Sequence, residues 1–288
     1  MAYLPKTKKM KRIIFFLALL VFASCSMMDS SGPVQETSPL VQESNPLAQS
    51  NPNQSVAPTN AWRIGLMIEE GFVLTQNFEG LEFRFSEGGA LEASKNGISI
   101  SGRWRLRQDS PQDELYIYFP NGTVLEELDE DWYVVENSEN RMVLEDRDDE
   151  YIDRLVLVRY QDAIAPSAPF IKEKERAKEF FEKVLDSSFE VKSLLNDNRQ
   201  KSAKFQGVEL KFLPLGRMEL RRPNQPTISG VWYLGFNDRD VKLGMDFESE
   251  GLADYLDEEW IFISRTDQLF QLVEYDDSDK DKLELLKK

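Results

Sequence analysis

The sequence predicts an all-β protein made of two tandem antiparallel β-barrels of about eight strands each, joined by one amphipathic helix. Three observations predict this fold class: a long internal repeat, apolar residues that alternate along short segments, and turn-forming residues between those segments. The repeat sets the size of each unit at about 100 residues. A domain of that size buries roughly 65% of the surface that its unfolded chain exposes, so each unit can support its own core.

The repeat keeps its register over most of both units. Ser101-Gly102-Arg103-Trp104 and Leu128-Asp129-Glu130-Asp131-Trp132 recur 128 residues later as Ser229-Gly230-Val231-Trp232 and Leu256-Asp257-Glu258-Glu259-Trp260. Upstream, Phe78 and Gly80 recur as Phe205 and Gly207 at an offset of 127, so one residue was inserted between Gly216 and Gly230. We assign residues 61–160 to the first copy and residues 189–288 to the second copy.

Residues 1–24 have the layout of a secretory signal peptide. A positive region ending at Arg12 precedes an apolar run from Ile13 to Val21, and small residues precede Cys25, the only cysteine of the chain. The apolar run is shorter than the roughly 20 residues that span a bilayer. The segment resembles a bacterial lipoprotein signal peptide, which implies lipidation of Cys25 by a diacylglyceryl thioether and an amino-terminal acyl chain. An ordinary signal peptide and an uncleaved anchor are the alternatives, and Met10 is an alternative start.

Residues 25–60 contain no Lys or Arg and are rich in Ser, Pro, Gln and Asn. Such a segment cannot bury enough apolar surface to offset the entropy of ordering it. We therefore expect a disordered tether, which spans on the order of 30 Å as a flexible coil.

Alternating apolar residues predict the strands of each copy. In the first copy Ile98, Ile100, Trp104 and Leu106 share one face of a strand, and Asn96-Gly97 forms a turn before it. Closure into a barrel removes the exposed edges of such a meander. We expect Gly102 to leave space for an indole in the interior. The predicted core signature consists of Trp62, Gly102, Trp104, Trp132, Gly230, Trp232 and Trp260.

Residues 161–188 are predicted to form a helical linker. Ala177, Phe180, Phe181 and Val184 recur at helical spacing, which indicates an amphipathic helix. Such a helix is either a spacer that packs against one barrel or a lid across the mouth of a barrel.

A family resemblance supports the barrel prediction. The pattern Phe78-x-Gly80-x-x-Phe83-x-Phe85, followed by Gly102-x-Trp104, Leu128-x-x-x-Trp132 and Leu155-x-Leu157, resembles the lipocalin-like β-barrel domain of bacterial envelope lipoproteins. The resemblance implies a small calycin-type barrel at the outer membrane of a Gram-negative bacterium, and it supplies no catalytic residue. The second copy departs from the pattern, since three prolines, Pro214, Pro223 and Pro226, predict an irregular or edge-like third strand.

Composition narrows the functional classes. The net charge is −16, and all basic residues before residue 60 lie within the first 24, which argues against binding to nucleic acid. The chain has no His and one Cys, so the usual zinc ligands and the commonest general base are missing. We predict no metal, no cofactor and no enzymatic activity.

Two acidic motifs are candidate sites. Carboxylates are present in both copies at 129–131 and 257–259, but they precede a strand, where acids commonly cap a turn. Asp277, Asp279 and Asp281 have the spacing of a calcium loop, yet Lys282 replaces the required Gly and Lys288 the bidentate Glu. A solvated hairpin turn is the preferred interpretation.

The outward faces of the two copies differ. Arg103, Arg105 and Arg107 face outward in the first copy, where we expect them to pair with acids on neighbouring strands. The matching residues Val231, Tyr233 and Gly235 form an apolar face, which meets a partner, the first barrel or the helix.

The predicted function is a non-catalytic binding or interaction protein of the cell envelope. The membrane is a partner through lipidated Cys25, and an envelope protein or a small apolar ligand is the other expected partner. A structural accessory subunit with solid barrels is the alternative. A ligand carrier and an enzyme rank below both.

Overall fold

The computed structural model describes residues 61–108, 112–147, 151–159, 171–248, 251–275 and 281–288. This part of the chain is mostly β, with one α-helix, α1 (Ile171–Val184). The predicted signal peptide, the tether and Cys25 lie outside the described residues. Within the described ranges, no helix is long and apolar enough to cross a membrane.

The first copy is an eight-stranded antiparallel sheet with a short additional strand, β2. Around the sheet the order is β1-β9-β8-β7-β6-β5-β4-β3, and β2 forms a hairpin with β1. The two ends of the sheet, β1 and β3, meet through a single bridge between Trp62 and Phe83, with two backbone hydrogen bonds of 2.8 Å. The strands are β1 (Arg63–Glu69), β2 (Phe72–Val73), β3 (Glu82–Phe85), β4 (Ala90–Lys95), β5 (Ile98–Gln108), β6 (Asp113–Tyr118), β7 (Asp131–Asn137), β8 (Arg141–Asp146) and β9 (Asp153–Val158).

The second copy is a closed antiparallel barrel of eight strands. Strand β10 pairs with β12 on one side and with β18 on the other, which closes the ring, and the short β11 extends the β10 hairpin. The strands are β10 (Ser188–Asn196), β11 (Arg199–Gln200), β12 (Glu209–Phe212), β13 (Arg217–Arg221), β14 (Ile228–Phe236), β15 (Val241–Phe247), β16 (Glu259–Arg265), β17 (Leu269–Glu274) and β18 (Lys282–Lys287). The sequence predicts two barrels. One closed barrel is present, and in the first copy only Trp62 pairs with β3.

The prediction of an irregular or edge-like third strand in the second copy is wrong. Strand β13 pairs with both β12 and β14. Pro214 begins a 3-10 turn before β13, whereas Pro223 and Pro226 lie in the loop after it. The prolines therefore occupy the connections, where a missing N–H interrupts no ladder.

The two copies contact each other at a free edge of β14. Strand β13 pairs only with Ile228–Val231, so the later residues of β14 lack a neighbour on that side. The first copy fills this position: the Asn77 side chain donates to the Leu234 carbonyl at 2.7 Å and accepts from the Leu234 N–H at 2.9 Å. Val73 then pairs with Phe236. An amide side chain and a two-residue strand thus satisfy backbone groups that burial would otherwise leave unpaired.

A buried charged group lies in the same interface. Lys242 is 1% exposed, and its Nζ lies 2.8 Å from Glu259 and 3.6 Å from Glu70 of the first copy. The Tyr233 hydroxyl donates to Glu259 at 2.6 Å, and burial followed by the Glu259 charge raises the pKa of Tyr233 well above its ordinary value. Tyr233 packs into the core of the first copy. The apolar face predicted around this residue therefore meets the first copy.

Candidate binding site

Helix α1 covers one end of the second barrel. The ring centroid of Phe180 lies 3.5 Å from that of Phe262 and 5.0 Å from that of Phe270, and Phe181 lies 5.2 Å from Trp232. These partners share the inward face of the barrel, as their strand register shows. Because paired strands enclose the interior on every side, a helix reaches inward-facing residues only through an end. The helix is therefore the lid that the sequence offered as one of two alternatives.

Polar contacts hold the end of the helix on the rim. Lys183 Nζ lies 3.0 Å from Asp267, and Arg265 forms an ion pair with Glu179. Hydrogen bonds from Arg265 and then Lys183 lower the pKa of Glu179. Lys287 donates from Nζ to the Lys183 carbonyl at 2.9 Å, which satisfies a terminal carbonyl of the helix.

The first copy has an equivalent end, which we call the Trp104 end. It is formed by Trp62, Trp104, Val134, Met142 and Arg159, the counterparts of Phe189, Trp232, Phe262, Phe270 and Lys287. Trp104 is partly exposed, unlike Trp232, which is 1% exposed. Its ring packs at 5.7 Å against Phe85, and its Nε1 donates to the Ser86 carbonyl at 3.0 Å.

Within the described part of the chain, no helix covers the Trp104 end. The stretch that corresponds to α1, residues 44–57, lies outside the described residues. Its sequence has Asn53 and Gln54 where α1 has Phe180 and Phe181, and no aromatic residue occurs between residues 25 and 60. The aromatic pair that packs on the second copy, Phe180 and Phe181, therefore has no equivalent in the stretch that precedes the first copy.

Two buried donors lie together at the Trp104 end. The Arg159 guanidinium stacks 4.6 Å from the centre of the Trp62 ring. Among the described residues, neither Trp62 Nε1 nor Arg159 Nε has a hydrogen-bond acceptor, although both atoms are buried. A buried donor without an acceptor costs about 1–3 kcal/mol. In the second copy Lys287, the counterpart of Arg159, finds its acceptor on the lid helix.

The tryptophans of the core signature lie in the interior, except Trp104, which is partly exposed. Trp62, Trp132, Trp232 and Trp260 are each 1% exposed. In both copies the tryptophan of the Leu-x-x-x-Trp motif makes the same bond, since Trp132 donates to the Leu128 carbonyl and Trp260 to the Leu256 carbonyl, each at 3.1 Å. The repeated Leu-x-x-x-Trp motif therefore ties a 3-10 turn to the strand that follows it.

Both signature glycines allow close packing, but not against an indole. A Cβ on Gly102 would lie 2.5 Å from the Tyr118 carbonyl and 2.7 Å from the Phe119 ring. A Cβ on Gly230 would lie 2.4 Å from the Asp246 carbonyl and 2.8 Å from the Phe247 ring. The expectation that Gly102 leaves room for an indole is wrong. The space goes to a phenylalanine and to the backbone of the next strand.

The acidic motifs have structural partners. Burial is the main cause that raises the pKa of Tyr116 to about 12, and the nearby negative charge of Asp129 is the second. In the second copy Glu259 accepts hydrogen bonds from Lys242 and from the Tyr233 hydroxyl in the interface between the copies. Asp281 is buried and accepts from the Asn196 side chain at 2.5 Å and from the Asp197 N–H at 2.9 Å. Residues 276–280 of the calcium-like stretch lie outside the description. In the described ranges no group of three potential ligands is placed to hold a metal ion.

The outward arginines partly follow the prediction. Arg107 pairs with Glu114 at 2.6 Å, and Arg105 stacks 5.6 Å from the centre of the Tyr116 ring. Sequence reasoning missed Arg159, Asn77 and Lys242. For Asn77 and Lys242 the signal lies in a comparison of the two copies, because their counterparts, Lys204 and Glu114, differ from them in chemistry.

Comparison with known proteins gives no family. The chain matches no protein-family model and no curated protein, and no solved structure matches it. The structure itself defines the class: an all-β protein with a closed eight-stranded antiparallel barrel and additional strands.

Proposed function

We propose that this protein is a non-catalytic, lipid-anchored binding protein of the Gram-negative cell envelope, built from two lipocalin-like barrels. In this proposal Cys25 carries the lipid, residues 25–60 form the tether, and the Trp104 end of the first copy binds an amphipathic helix of an envelope partner. One observation carries the binding site: the buried donors of Trp62 and Arg159 lack described acceptors, and the repeat assigns them to the same end as the partly exposed Trp104.

The contacts of helix α1 in the second copy indicate what kind of partner would fit the Trp104 end. There, an aromatic side chain of α1 packs on Trp232, and a carbonyl of the helix accepts from Lys287. A partner helix would make the same two contacts if it placed an aromatic residue against Trp104 and a carbonyl or carboxylate oxygen within hydrogen-bond distance of Arg159. Helix-in-groove binding of this kind uses apolar residues at helical spacing as anchors.

The filled interiors favour a protein partner over a small ligand held deep inside. Eight-stranded barrels are just wide enough for side chains to fill them or for one small ligand to fit. Here the largest fully buried side chains include four tryptophans, and aromatic rings contact one another in both copies. Filled interiors also support the alternative function, a structural accessory subunit with solid barrels. In that case the partner helix would belong to another subunit of a stable envelope complex.

Photo-crosslinking in intact envelopes tests the binding site. A benzophenone amino acid at position 104, followed by mass spectrometry of the adducts, is expected to capture a segment with apolar residues at helical spacing. Arg159→Gln should weaken the capture, and the same probe at the exposed position Lys192 is the matched control. Capture of phospholipid alone, or equal capture at both positions, contradicts the proposed site.

A second experiment tests the anchor. Cys25→Ser is expected to release the protein from the membrane fraction or to leave it held only by an uncleaved signal, because acyl chains supply the stable attachment. Metabolic labelling with palmitate and fractionation measure both effects. A mutant that still carries the label rules out Cys25 as the lipidation site.

A further inference from the structure

The contact between the two copies joins two different surfaces. The first copy contributes the surface around Phe72, Leu74 and Asn77, which we call the hairpin surface. The second copy contributes the surface around Tyr233 and Gly235 with the free edge of β14, which we call the edge surface. Since the copies share one topology, each copy has both surfaces. A contact between unlike surfaces can continue from chain to chain, and it then builds a ring or a filament.

The free hairpin surface, on the second copy, is basic. Arg199, Lys201 and Lys204 stand at the positions of Phe72, Leu74 and Asn77. Arg199 and Lys204 are exposed, and Lys204 donates to the Tyr255 hydroxyl at 2.6 Å. A lysine has no acceptor atom, so Lys204 cannot receive a backbone N–H as Asn77 receives that of Leu234.

The free edge surface, on the first copy, is basic as well. Arg103, Arg105 and Arg107 stand at the positions of Val231, Tyr233 and Gly235, and all three are exposed. Glu114 pairs with Arg107 at 2.6 Å and Asp131 lies opposite Tyr116 on the neighbouring strand, whereas Arg103 and Arg105 form no ion pair within the described residues. Charged side chains on an edge are a known means of preventing strand pairing with another chain.

We propose that these two basic surfaces are repelling ends, which stop the internal contact from continuing between molecules. Continuation would bring the arginines of one chain against Arg199, Lys201 and Lys204 of the next. Like charges at such a contact suppress association, and they would lose water without gaining a partner. The hairpin surface of the first copy and the edge surface of the second copy are the less charged versions, and they form the contact between the two copies within one chain. This inference is independent of the proposed binding site.

Sedimentation velocity with two charge-swapped proteins tests the proposal. The triple variant Arg103→Glu, Arg105→Glu, Arg107→Glu presents an acidic edge surface to the basic hairpin surface of a second molecule. We expect this variant to self-associate at low salt and to return to monomer in about 0.5 M salt, where the Debye length is only a few ångströms. The wild-type chain should be monomeric at both. A control exchanges three exposed basic residues away from both surfaces, Arg84, Arg141 and Lys178, and should stay monomeric.

A second pair of variants uses the native contact chemistry. One carries Arg103→Val, Arg105→Tyr and Arg107→Gly, and the other carries Arg199→Phe, Lys201→Leu and Lys204→Asn. Each alone should be monomeric, and an equimolar mixture should form a one-to-one complex. If the mixture and the charge-swapped variant both remain monomeric while keeping the wild-type melting curve, or if the wild-type chain itself forms concentration-dependent oligomers, the proposal is wrong.

Discussion

The ring of Phe181 lies 5.2 Å from the ring of Trp232, and this contact is the main difference between the two ends that the repeat makes equivalent. Trp104 has the same position in the first copy and packs against Phe85, but it is partly exposed. One tryptophan is therefore a covered core residue, and its counterpart forms part of a surface.

This difference predicts unequal effects of the same substitution. Trp232→Ala should lower the free energy of unfolding by about 3–5 kcal/mol, because it leaves a cavity beneath the helix. Trp104→Ala should lower it by less than about 2 kcal/mol, since part of the ring already faces solvent. Urea unfolding of both variants measures the difference. Equal losses would mean that Trp104 is as well covered as Trp232.

The two signature glycines predict matched defects. Gly102→Ala and Gly230→Ala each place a Cβ within 2.5 Å of a backbone carbonyl, so the neighbouring strand must move. We expect each to cost about 1–3 kcal/mol, as overpacked sites do. Ser101→Ala, at the exposed adjacent position, should change the melting temperature little. A neutral Gly102→Ala would show that β5 and β6 can separate without loss.

Because Lys242 is buried, we predict that the stability of the protein depends strongly on the ion pair between Lys242 and Glu259. Lys242→Ala should cost about 3–5 kcal/mol, because it leaves Glu259 partly buried without its cation. The double variant Lys242→Met, Glu259→Gln should cost less, since the Glu259 carboxylate is removed together with its cation. The control is Lys192→Ala, which removes a half-exposed lysine 3.8 Å from Glu284. Thermal unfolding followed by circular dichroism measures all three, and a double variant as unstable as Lys242→Ala would contradict this account.

The two ion pairs of Glu145 predict part of the stability that the protein loses at acidic pH. It binds Arg147 at 2.8 Å and Arg154 at 2.6 Å, and hydrogen bonds from Arg147 and then Arg154 hold its pKa below the ordinary value. A lowered pKa in the folded state stabilises the protein above the pKa of the unfolded state, about 4.3, and this stabilisation is lost as the pH falls through the folded pKa.

Glu145→Gln should therefore reduce stability by about 1 kcal/mol at pH 7 and by less at pH 3. Denaturant unfolding at the two pH values measures it. Glu136→Gln, which removes a pair with Arg141 in which both side chains are more than 40% exposed, is the control and should have little effect at either pH. A Glu145→Gln defect that is unchanged at pH 3 would rule out this carboxylate as the titrating group.

Much of the fold could be predicted because strands and repeats have local signatures. Alternation places Phe83, Ile100 and Ile117 on one inward face, and the strand register agrees. The helix was predictable for the same reason, as apolar residues at helical spacing need a surface to pack on. Which surface they cover is a tertiary property, so lid and spacer could not be separated from the sequence.

The interface could not be predicted from one copy alone. Phe72 and Leu74 look like ordinary core residues of a hairpin, and Lys242 alternates as a solvent-facing residue of a strand. All three are buried because the other copy lies against them. The pairing of Trp62 with Arg159 was equally hidden, because 97 positions separate them and neither residue is unusual in its own strand.

The bridge between Trp62 and Phe83 also determines how the first copy responds to mechanical load. Two hydrogen bonds join β1 to β3 there, whereas five residue pairs join β1 to β9. Trp62 precedes β1, so a pull on the chain from its amino-terminal side reaches the bridge before the ladder. In the second copy the first strand is held by three pairs on one side and six on the other. We therefore expect the first copy to open along this seam under tension before the closed ring of the second copy does.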